Sequence, residues 1–485
     1  MVAVIKEDTF MYTAISLSAI IVAGIIVALL FLNNNCSNKV VDRIIKIGAV
    51  FYVVLMLFTI LLPDGLIKSV SNPEELVGFN KWHCILRIAL AINPVVIVIA
   101  CFFKNRTFRN IAVYWTLPWT FISIFFYNDY MEYFLSPSGR GLYQTRGVSE
   151  AFKALMMNET FRAIIFCVQW IIVVSICLKI LLIDKHVFKV KDRKEWMNFG
   201  IILTLLLIQM MPIYIPQVLT EGFGPFLFDK FSPLHIVWIL YLVSKIVVLW
   251  LIFRKQTDEN KYILCLVLAL AVLFQYNSMF SLTINIKRLP LQLCNLASYL
   301  MLIALITKNR FIFNFNFLVN MVGAAIALLV PDVDGENLFY VWNLHFIYEH
   351  TNVVVVPILA LALGLFPKID KISYRDAIIG FSCYFVLILV LGTVFNNLAV
   401  TLDNGDFKAN YLFMFDPKVA CETLPFLKSF TKVTIVIKNA TIYPLLMVFV
   451  YFGYLTIISL VFLPFIICRS VKLRKVRLNE APNYA

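Results

Sequence analysis

The chain contains little charge for its length. Only 14% of its 485 residues are charged, whereas 61% are hydrophobic. A soluble protein would have to bury that apolar surface in one core, which so few charges do not allow. The hydrophobic residues also form runs long enough to cross a bilayer core of about 30 Å. The composition therefore excludes a soluble protein and predicts an all-α, polytopic helical membrane protein.

Histidine is scarce, and cysteine forms no pattern. The five histidines and ten cysteines show neither metal-ligand spacing nor a disulfide framework. Most cysteines lie inside or near apolar runs, where cysteine usually behaves as a small hydrophobic residue. We therefore expect no metal and no cofactor. The first apolar run, from Tyr12, ends without a small-residue cleavage site, so we expect a retained helix.

Thirteen candidate spans give the predicted organisation. They cover approximately residues 12–32, 44–62, 84–103, 110–127, 162–183, 199–218, 234–253, 262–283, 289–306, 311–330, 351–366, 377–399 and 440–467. Span eleven is short, and we expect it to begin earlier, near Phe346. Glycine and proline interrupt the apolar sequence at 220–225. We predict an N-terminal bundle of about six helices at 1–221, a second domain of about seven at 222–470, and a basic tail at 471–485.

The basic residues predict the orientation. Lys and Arg remain on the cytoplasmic side of short loops, and five of them follow span thirteen, whereas segment 331–350 has none. This predicts a cell-membrane protein with its N-terminus outside and its C-terminus in the cytoplasm. The net charge of +14 then comes largely from inner loops that face anionic lipids. Membrane lipids are the expected partners, and nucleic acid is not.

One short loop sequence occurs twice. Phe103–Arg106 and Thr307–Arg310 each join two spans, and they lie 204 residues apart. Six spans separate the matching helices, so a repeat of this kind would be parallel. Two interpretations stay open: two repeated halves, or coincidence in a chain rich in Lys, Asn and Phe.

Polar side chains and one thiol collect at predicted helix ends on the outer side. Polar groups at membrane depth are costly and often mark function, and a cysteine beside a histidine can form a nucleophile with its base. Taken singly, each residue also fits a packing or interfacial role. The candidate residues are His235, Gln292, Cys294, Asn295, His345, Glu349, His350, Asn410 and Tyr411.

Lys245 is the other unusual residue. It lies ten residues into predicted span seven, about 15 Å from the helix start at 1.5 Å per residue. We find no acidic residue at a matching depth in any predicted span. Either Lys245 faces a cavity filled with water or lipid headgroups, or the span boundary is misplaced.

From about Phe231 to Pro417 the chain resembles the YwaF-like integral membrane proteins. The motifs are Ser232–His235, Leu289–Asn295, Lys308-Asn309, Pro331-Asp332, Glu349-His350, Asn410–Met414 and Pro417. That family is similar to the eukaryotic transmembrane protein 164 acyltransferases, which move a polyunsaturated acyl chain onto ether lysophospholipid through a cysteine. The resemblance implies a lipid-processing acyltransferase in which the 222–470 domain is YwaF-like.

Two positions depart from these families. The bacterial pattern usually has histidine where this chain has Gln292, and an amide cannot act as a base. The eukaryotic enzymes place the cysteine directly after the proline, where this chain has Leu291. Cys294 comes three residues later, on the same face of a helix.

Three functions are compatible with these observations. The first is acyl transfer on (lyso)phospholipid, with Cys294 as nucleophile, His350 as base, and Asn295, Gln292 and Asn410 as polar supports. The second is transport of a small or anionic solute that Lys245 holds in the same cavity. The third is a membrane scaffold without catalysis. The sequence leaves the substrate open.

Overall fold

The structure, a computed structural model, is almost entirely helical. It describes residues 2–56, 81–125, 154–155, 158–186, 188–220, 223–224, 226–277, 289–331, 336–402 and 408–480. Eight helices in these ranges are long and apolar enough to cross a membrane. The predicted all-α polytopic membrane fold is therefore confirmed. The count of thirteen stays a prediction, since spans 44–62, 110–127 and 262–283 extend beyond the described residues.

The chain divides into two compact units. The first contains the described residues up to Gly224, together with Asn277 and Phe339–Leu344, and the second contains the other described residues. This division describes compactness and not whether one half arose as a copy of the other. The predicted domain limits and the predicted repeat therefore stay predictions.

The first unit consists of helices broken at polar or proline residues. Asn93-Pro94 begins a new helix after Ala91, and proline fits a first helical turn because its missing N–H is not needed there. Two π-helices, Ala112–Thr116 and Lys179–Ile183, extend neighbouring α-helices. The α-helices are α1 Val2–Asn35, α2 Asn38–Met56, α3 Lys81–Ala91, α4 Asn93–Phe102, α5 Arg106–Ile111, α6 Glu159–Leu178, α7 Arg193–Gln209 and α8 Ile215–Leu219.

The second unit contains α17, the longest of the described helices. Its α-helices are α9 Pro233–Phe253, α10 Asp258–Asn277, α11 Leu293–Thr307, α12 Arg310–Phe315, α13 Met321–Leu329, α14 Val341–Ala362, α15 Lys371–Thr401, α16 Lys418–Thr423 and α17 Pro444–Glu480. The last residue of α10 and the first four residues of α14 belong to the first unit. A π-helix, Asn316–Asn320, joins α12 to α13, and 3₁₀ helices cover Tyr411–Phe413 and Pro425–Thr431. Strand β1 (Leu227–Phe228) pairs antiparallel with β2 (Glu336–Asn337), and β3 (Ile435–Ile437) with β4 (Ala440–Ile442).

Local sequence explains where two of these helices begin. The Ser232 hydroxyl accepts a hydrogen bond from the backbone N–H of His235, and Pro233 occupies the first turn of α9. Asp370 and Ser373 form a reciprocal capping box at the start of α15. These caps satisfy amide groups that would otherwise lack partners at a helix terminus.

One apolar core positions the candidate residues. It joins the β1–β2 pair to helices α10, α11, α13 and α14. Its fully buried members are Phe228, Val272, Ala297, Ala324, Leu328, Leu338, Ile347, Val353 and Val354. This core fixes α11, which carries Cys294, against the same packing surface as α14, which carries His350.

The structure corrects three predicted helix starts. Helix α14 begins at Val341, so His350 lies nine residues inside it, about 14 Å from its start at 1.5 Å per residue, and not at its mouth. Helix α11 begins at Leu293 and not at 289. Residues 440–442 form strand β4, and α17 begins only at Pro444. Hydropathy missed the first turns of α14 because their polar side chains are buried by protein and need no apolar pattern.

Candidate functional site

Cys294 lies in the first turn of α11. Its side chain is partly exposed, and its thiol donates to Asn295 Oδ1 at 3.3 Å. The charge of Glu349 lies within interaction range of the thiol, as do the hydroxyls of Tyr384 and Tyr454. Helix N-termini favour negative charge, which helps a cysteine react as its thiolate. The helix terminus therefore favours the thiolate, whereas the neighbouring negative charge of Glu349 opposes it.

Glu349 and His345 form a buried pair on α14. His345 Nε2 lies 3.4 Å from Glu349 Oε2, one helical turn away. Both side chains are almost fully buried. The pair places an acid–base couple near the thiol, a contact that linear sequence could not show.

His350 is oriented by its own helix. Its Nδ1–H donates to the carbonyl oxygen of Phe346 at 2.6 Å, and its ring packs on that of Phe346 with centroids 4.2 Å apart. This tautomer leaves Nε2 as a hydrogen-bond acceptor. Cys294 and His350 both lie in the part of the chain that the structure describes, and no hydrogen bond or electrostatic contact joins them there. Their pairing as nucleophile and base stays a prediction.

His235 on α9 links this helix to α13 by a hydrogen bond. The backbone N–H of Phe231 donates to its Nδ1 at 2.9 Å, and its Nε2–H donates to the carbonyl oxygen of Leu328 at 2.7 Å. The side chain is 1% exposed. Both ring nitrogens therefore bond within the protein, which gives His235 a structural role, and its predicted substrate contact stays a prediction.

A loop at 409–416 lies against the start of α11. The Gln292 amide donates to the carbonyl oxygen of Asn410 at 3.3 Å. The Asn410 side chain donates to the carbonyl oxygen of Asp416 and accepts from the backbone N–H groups of Phe415 and Asp416. Asn396 on α15 makes two more hydrogen bonds, to the backbone of Ala409. The amides that sequence indicated as site residues thus hold this loop in place.

Tyr411 follows Asn410 and is 2% exposed. Its hydroxyl is buried and makes no hydrogen bond with the described residues. The next two residues, Leu412 and Phe413, have φ of 50° and 57°. Left-handed backbone at residues other than glycine costs roughly 1–3 kcal/mol each. The loop therefore stores strain directly beside a buried polar group.

Lys245 lies inside α9 and is 8% exposed. Its Nζ donates to Asn352 Oδ1 at 2.8 Å and lies 5.8 Å and 5.9 Å from the ring centroids of Tyr241 and Tyr348. Asn352 also lines a cavity of about 10 Å³ together with Ser298 and Asn316. Such a cavity has room for about one water.

A separate polar cluster lies in the first unit. Asp42 bonds to Lys104 and Lys179, Asp184 bonds to Lys179 and Arg109, and Glu195 bonds to Arg106 and Asn110. Burial alone would raise the pKa of Asp42, but hydrogen bonds from its two lysines lower it to about 2. The cluster is thus internally ion-paired.

Sequence reasoning missed several polar residues around the thiol and the cavity. The missed residues are Ser298, Asn316, Asn352, Tyr384, Asn396 and Tyr454. Their signal was present, since each is a polar residue inside an apolar run. Among the described residues, no group of three or more His, Cys, Asp or Glu side chains could hold a metal ion.

Comparison with known proteins is informative for the second unit. Residues 230–467 match the model of the TMEM164 family, a range that contains all the candidate-site residues. No curated protein and no solved structure matches the chain. The YwaF-like designation stays a prediction. This match and the apolar helices support an integral membrane protein whose residues 230–467 are similar to the TMEM164 family.

Proposed function

We propose that the protein is a membrane acyltransferase that moves an acyl chain between phospholipids through Cys294. The observation that carries the proposal is the partly exposed thiol in the first turn of α11, inside the region that matches the TMEM164 family. The transmembrane protein 164 acyltransferases, which this region resembles, also use a cysteine.

In the first half-reaction Glu349 accepts the thiol proton. The thiolate attacks the ester carbonyl carbon of the donor lipid, and a thioester forms as the ester C–O bond breaks. Glu349 then returns the proton to the oxygen of the departing lysophospholipid. We assign this role to Glu349 because its carboxyl group lies within interaction range of the thiol.

In the second half-reaction the hydroxyl of an acceptor lysophospholipid attacks the thioester. Glu349 takes the hydroxyl proton, the C–S bond breaks, and the proton returns to the sulfur. His350 Nε2, left as an acceptor by the Phe346 contact, orients the incoming hydroxyl. The competing assignment is the predicted one, in which His350 is the base.

Acyl exchange in reconstituted vesicles tests the proposal. Cys294→Ala should abolish exchange on lysophospholipid, whereas Cys383→Ala, which removes an exposed cysteine on α15, should leave it intact. Full exchange by Cys294→Ala would overturn the proposed function.

The same assay separates the two candidate bases. Loss of a general base costs typically 10²–10⁴-fold, and we expect that loss for Glu349→Gln. His350→Gln keeps an acceptor and should lose less. The reverse order would assign the base to His350.

Solute transport is the second candidate, and Lys245 is the observation that favours it. A lysine inside a membrane helix often marks an ion or substrate pathway, and Lys245 bonds to an amide that lines a cavity. Transport predicts that Lys245→Ala abolishes uptake of an anionic solute and that Cys294→Ala does not. A scaffold predicts that neither variant changes either activity.

A further inference from the structure

Tyr411 differs from Tyr384 and Tyr454, two tyrosines near the thiol. The Tyr384 hydroxyl donates to the carbonyl oxygen of Leu291 at 2.7 Å, and the Tyr454 hydroxyl donates to that of Val319 at 3.1 Å. The Tyr411 side chain is also buried, but its hydroxyl makes no hydrogen bond with the described residues. A buried donor without a partner destabilises the fold unless a ligand satisfies it.

The surrounding loop holds Tyr411 in this position. Asn410 makes three hydrogen bonds to the backbone at 415–416, and Asn396 makes two to Ala409. These contacts flank two consecutive left-handed residues, Leu412 and Phe413. Strained backbone that persists under such clamping commonly marks a functional position.

The loop that carries Tyr411 also contacts the start of α11, the end of the helix that carries the thiol. Gln292, two residues before Cys294, bonds to the carbonyl oxygen of Asn410, one residue before Tyr411. The Tyr384 hydroxyl lies within interaction range of both Cys294 and Tyr411. Burial raises the pKa of Tyr411 to about 12, so the hydroxyl keeps its proton near neutral pH.

We infer that Tyr411 is a catalytic residue whose hydroxyl donates a hydrogen bond to the acyl carbonyl oxygen while that oxygen gains negative charge. This inference rests on the proposed acyl transfer through Cys294. A fixed donor aimed at the developing oxyanion lowers the barrier because it needs no reorganisation during the reaction.

Tyr411→Phe tests the inference in reconstituted vesicles. We expect kcat to fall by about 100-fold with little change in KM, as for the loss of one oxyanion donor. We also expect an unchanged or raised Tm, because the hydroxyl makes no hydrogen bond with the described residues that the substitution could remove. Tyr384→Phe is the matched control and should lower the Tm, since it removes the bond to Leu291.

Two results would overturn the role of Tyr411. One is wild-type exchange by Tyr411→Phe, and the other is a fall in Tm that accompanies the loss of activity, which would show a structural hydrogen bond. Cys294→Ala in the same vesicles separates this failure from that of the proposed function. If Cys294→Ala is inactive and Tyr411→Phe is active, only the catalytic role of Tyr411 is rejected. If Cys294→Ala is active, acyl transfer through this thiol is rejected.

A different observation concerns the first unit, which lies mostly before residues 230–467. Lys104 and Lys308 both have left-handed backbone, with φ of 53° and 55°. Asn105 and Asn309 then cap six-residue helices, α5 and α12. Each helix continues into a five-residue π-helix, at 112–116 and at 316–320. Every one of these features recurs at a spacing of 204 residues.

The contacts of this segment recur as well. The arginine after the cap bonds to an acidic residue near the start of a later helix, Arg106 to Glu195 and Arg310 to Asp370. The asparagine four residues on also bonds to a carboxylate, Asn110 to Glu195 and Asn314 to Asp376. The paired helices, α7 and α15, both begin after an aspartate cap, at Asp192 and Asp370.

We propose that the first unit is a second, divergent copy of the helical module that matches the TMEM164 family. π-Helices are rare and account for well under 1% of residues. Coincidence is therefore a poor explanation for two of them that lie 204 residues apart and follow segments with the same contacts. At the same spacing, Cys294 and Asn295 correspond to Leu90 and Ala91. The first copy therefore lacks the thiol and contributes no nucleophile of this kind.

Sequences of relatives test the duplication. A profile of residues 81–220 should align with a profile of 284–402 over several helices, in the same order, with 104–116 placed on 308–320. An alignment confined to the Lys-Asn-Arg tripeptide, or one in a different helix order, would overturn the duplication.

Discussion

His186 is a buried histidine in the first unit, outside the candidate spans. Its Nε2–H donates to Asn110 Oδ1 at 2.6 Å. Burial lowers its pKa, and the nearby guanidinium groups lower it further. The charged groups that act on it are Arg106, Arg109, Glu195 and Asp184. The folded protein therefore keeps this imidazole neutral at pH values where an unfolded chain would protonate it.

The expected result is acid sensitivity. As pH falls through about 6.5, the ordinary histidine value, the unfolded state gains a proton that the folded state does not, so stability decreases. The Tm of the detergent-solubilised protein should fall between pH 7 and pH 5, and His186→Gln should reduce that fall. An identical pH profile for both proteins would contradict this assignment.

Single residues also show how far the site could be predicted. The types were visible in the sequence, because Cys294, Glu349 and Asn410 are polar groups beside or inside apolar runs. Their partners were not visible. The thiol lies near Glu349 and not in contact with His350. The reason is that the packing of the two helices determines which side chains of α14 lie near α11. The buried hydroxyl of Tyr411 depends on a backbone turn that no residue pattern indicated.

At the scale of elements, close helix–loop packing holds the loop that carries Tyr411. A Cβ at Gly392 on α15 would lie 2.2 Å from the ring of Phe415, whereas a Cβ at Gly453 on α17 would meet nothing within 4 Å. The loop therefore approaches α15 at a place where only glycine fits.

Gly392→Ala should displace the 409–416 loop. Overpacking of this kind costs typically 1–3 kcal/mol, so we expect a lower Tm and weaker acyl exchange. Gly453→Ala is the matched control and should lose neither. Equal behaviour of the two variants would show that the loop adapts without consequence.

Helix existence was easier to predict than helix limits. Long apolar helices such as α9 and α15 were evident because lipid exposure requires apolar residues along most of their length. The start of α14 was placed too late because Asn343 and His345 are buried in protein. Pattern analysis reads such polar residues as loop, although their environment is the interior of a bundle.

At the scale of the whole molecule, orientation is a proposal from charge alone. Basic residues in short loops predict a cytoplasmic C-terminus. An impermeant thiol reagent applied to intact cells should label single cysteines introduced at the partly exposed positions 337, 339 and 340 and should not label those at 472–477. Labelling of the tail from outside would reverse the orientation and move the candidate site to the inner leaflet.

The central claim is a covalent acyl intermediate on Cys294. Purified protein in vesicles that contain radiolabelled phospholipid should acquire an acyl label that hydroxylamine removes, as expected of a thioester. Peptide mass spectrometry should locate that label on Cys294, and Cys294→Ala should carry none while Cys383→Ala carries it normally. An equal label on Cys294→Ala, or acyl exchange at the wild-type rate with no label on Cys294, would contradict the account.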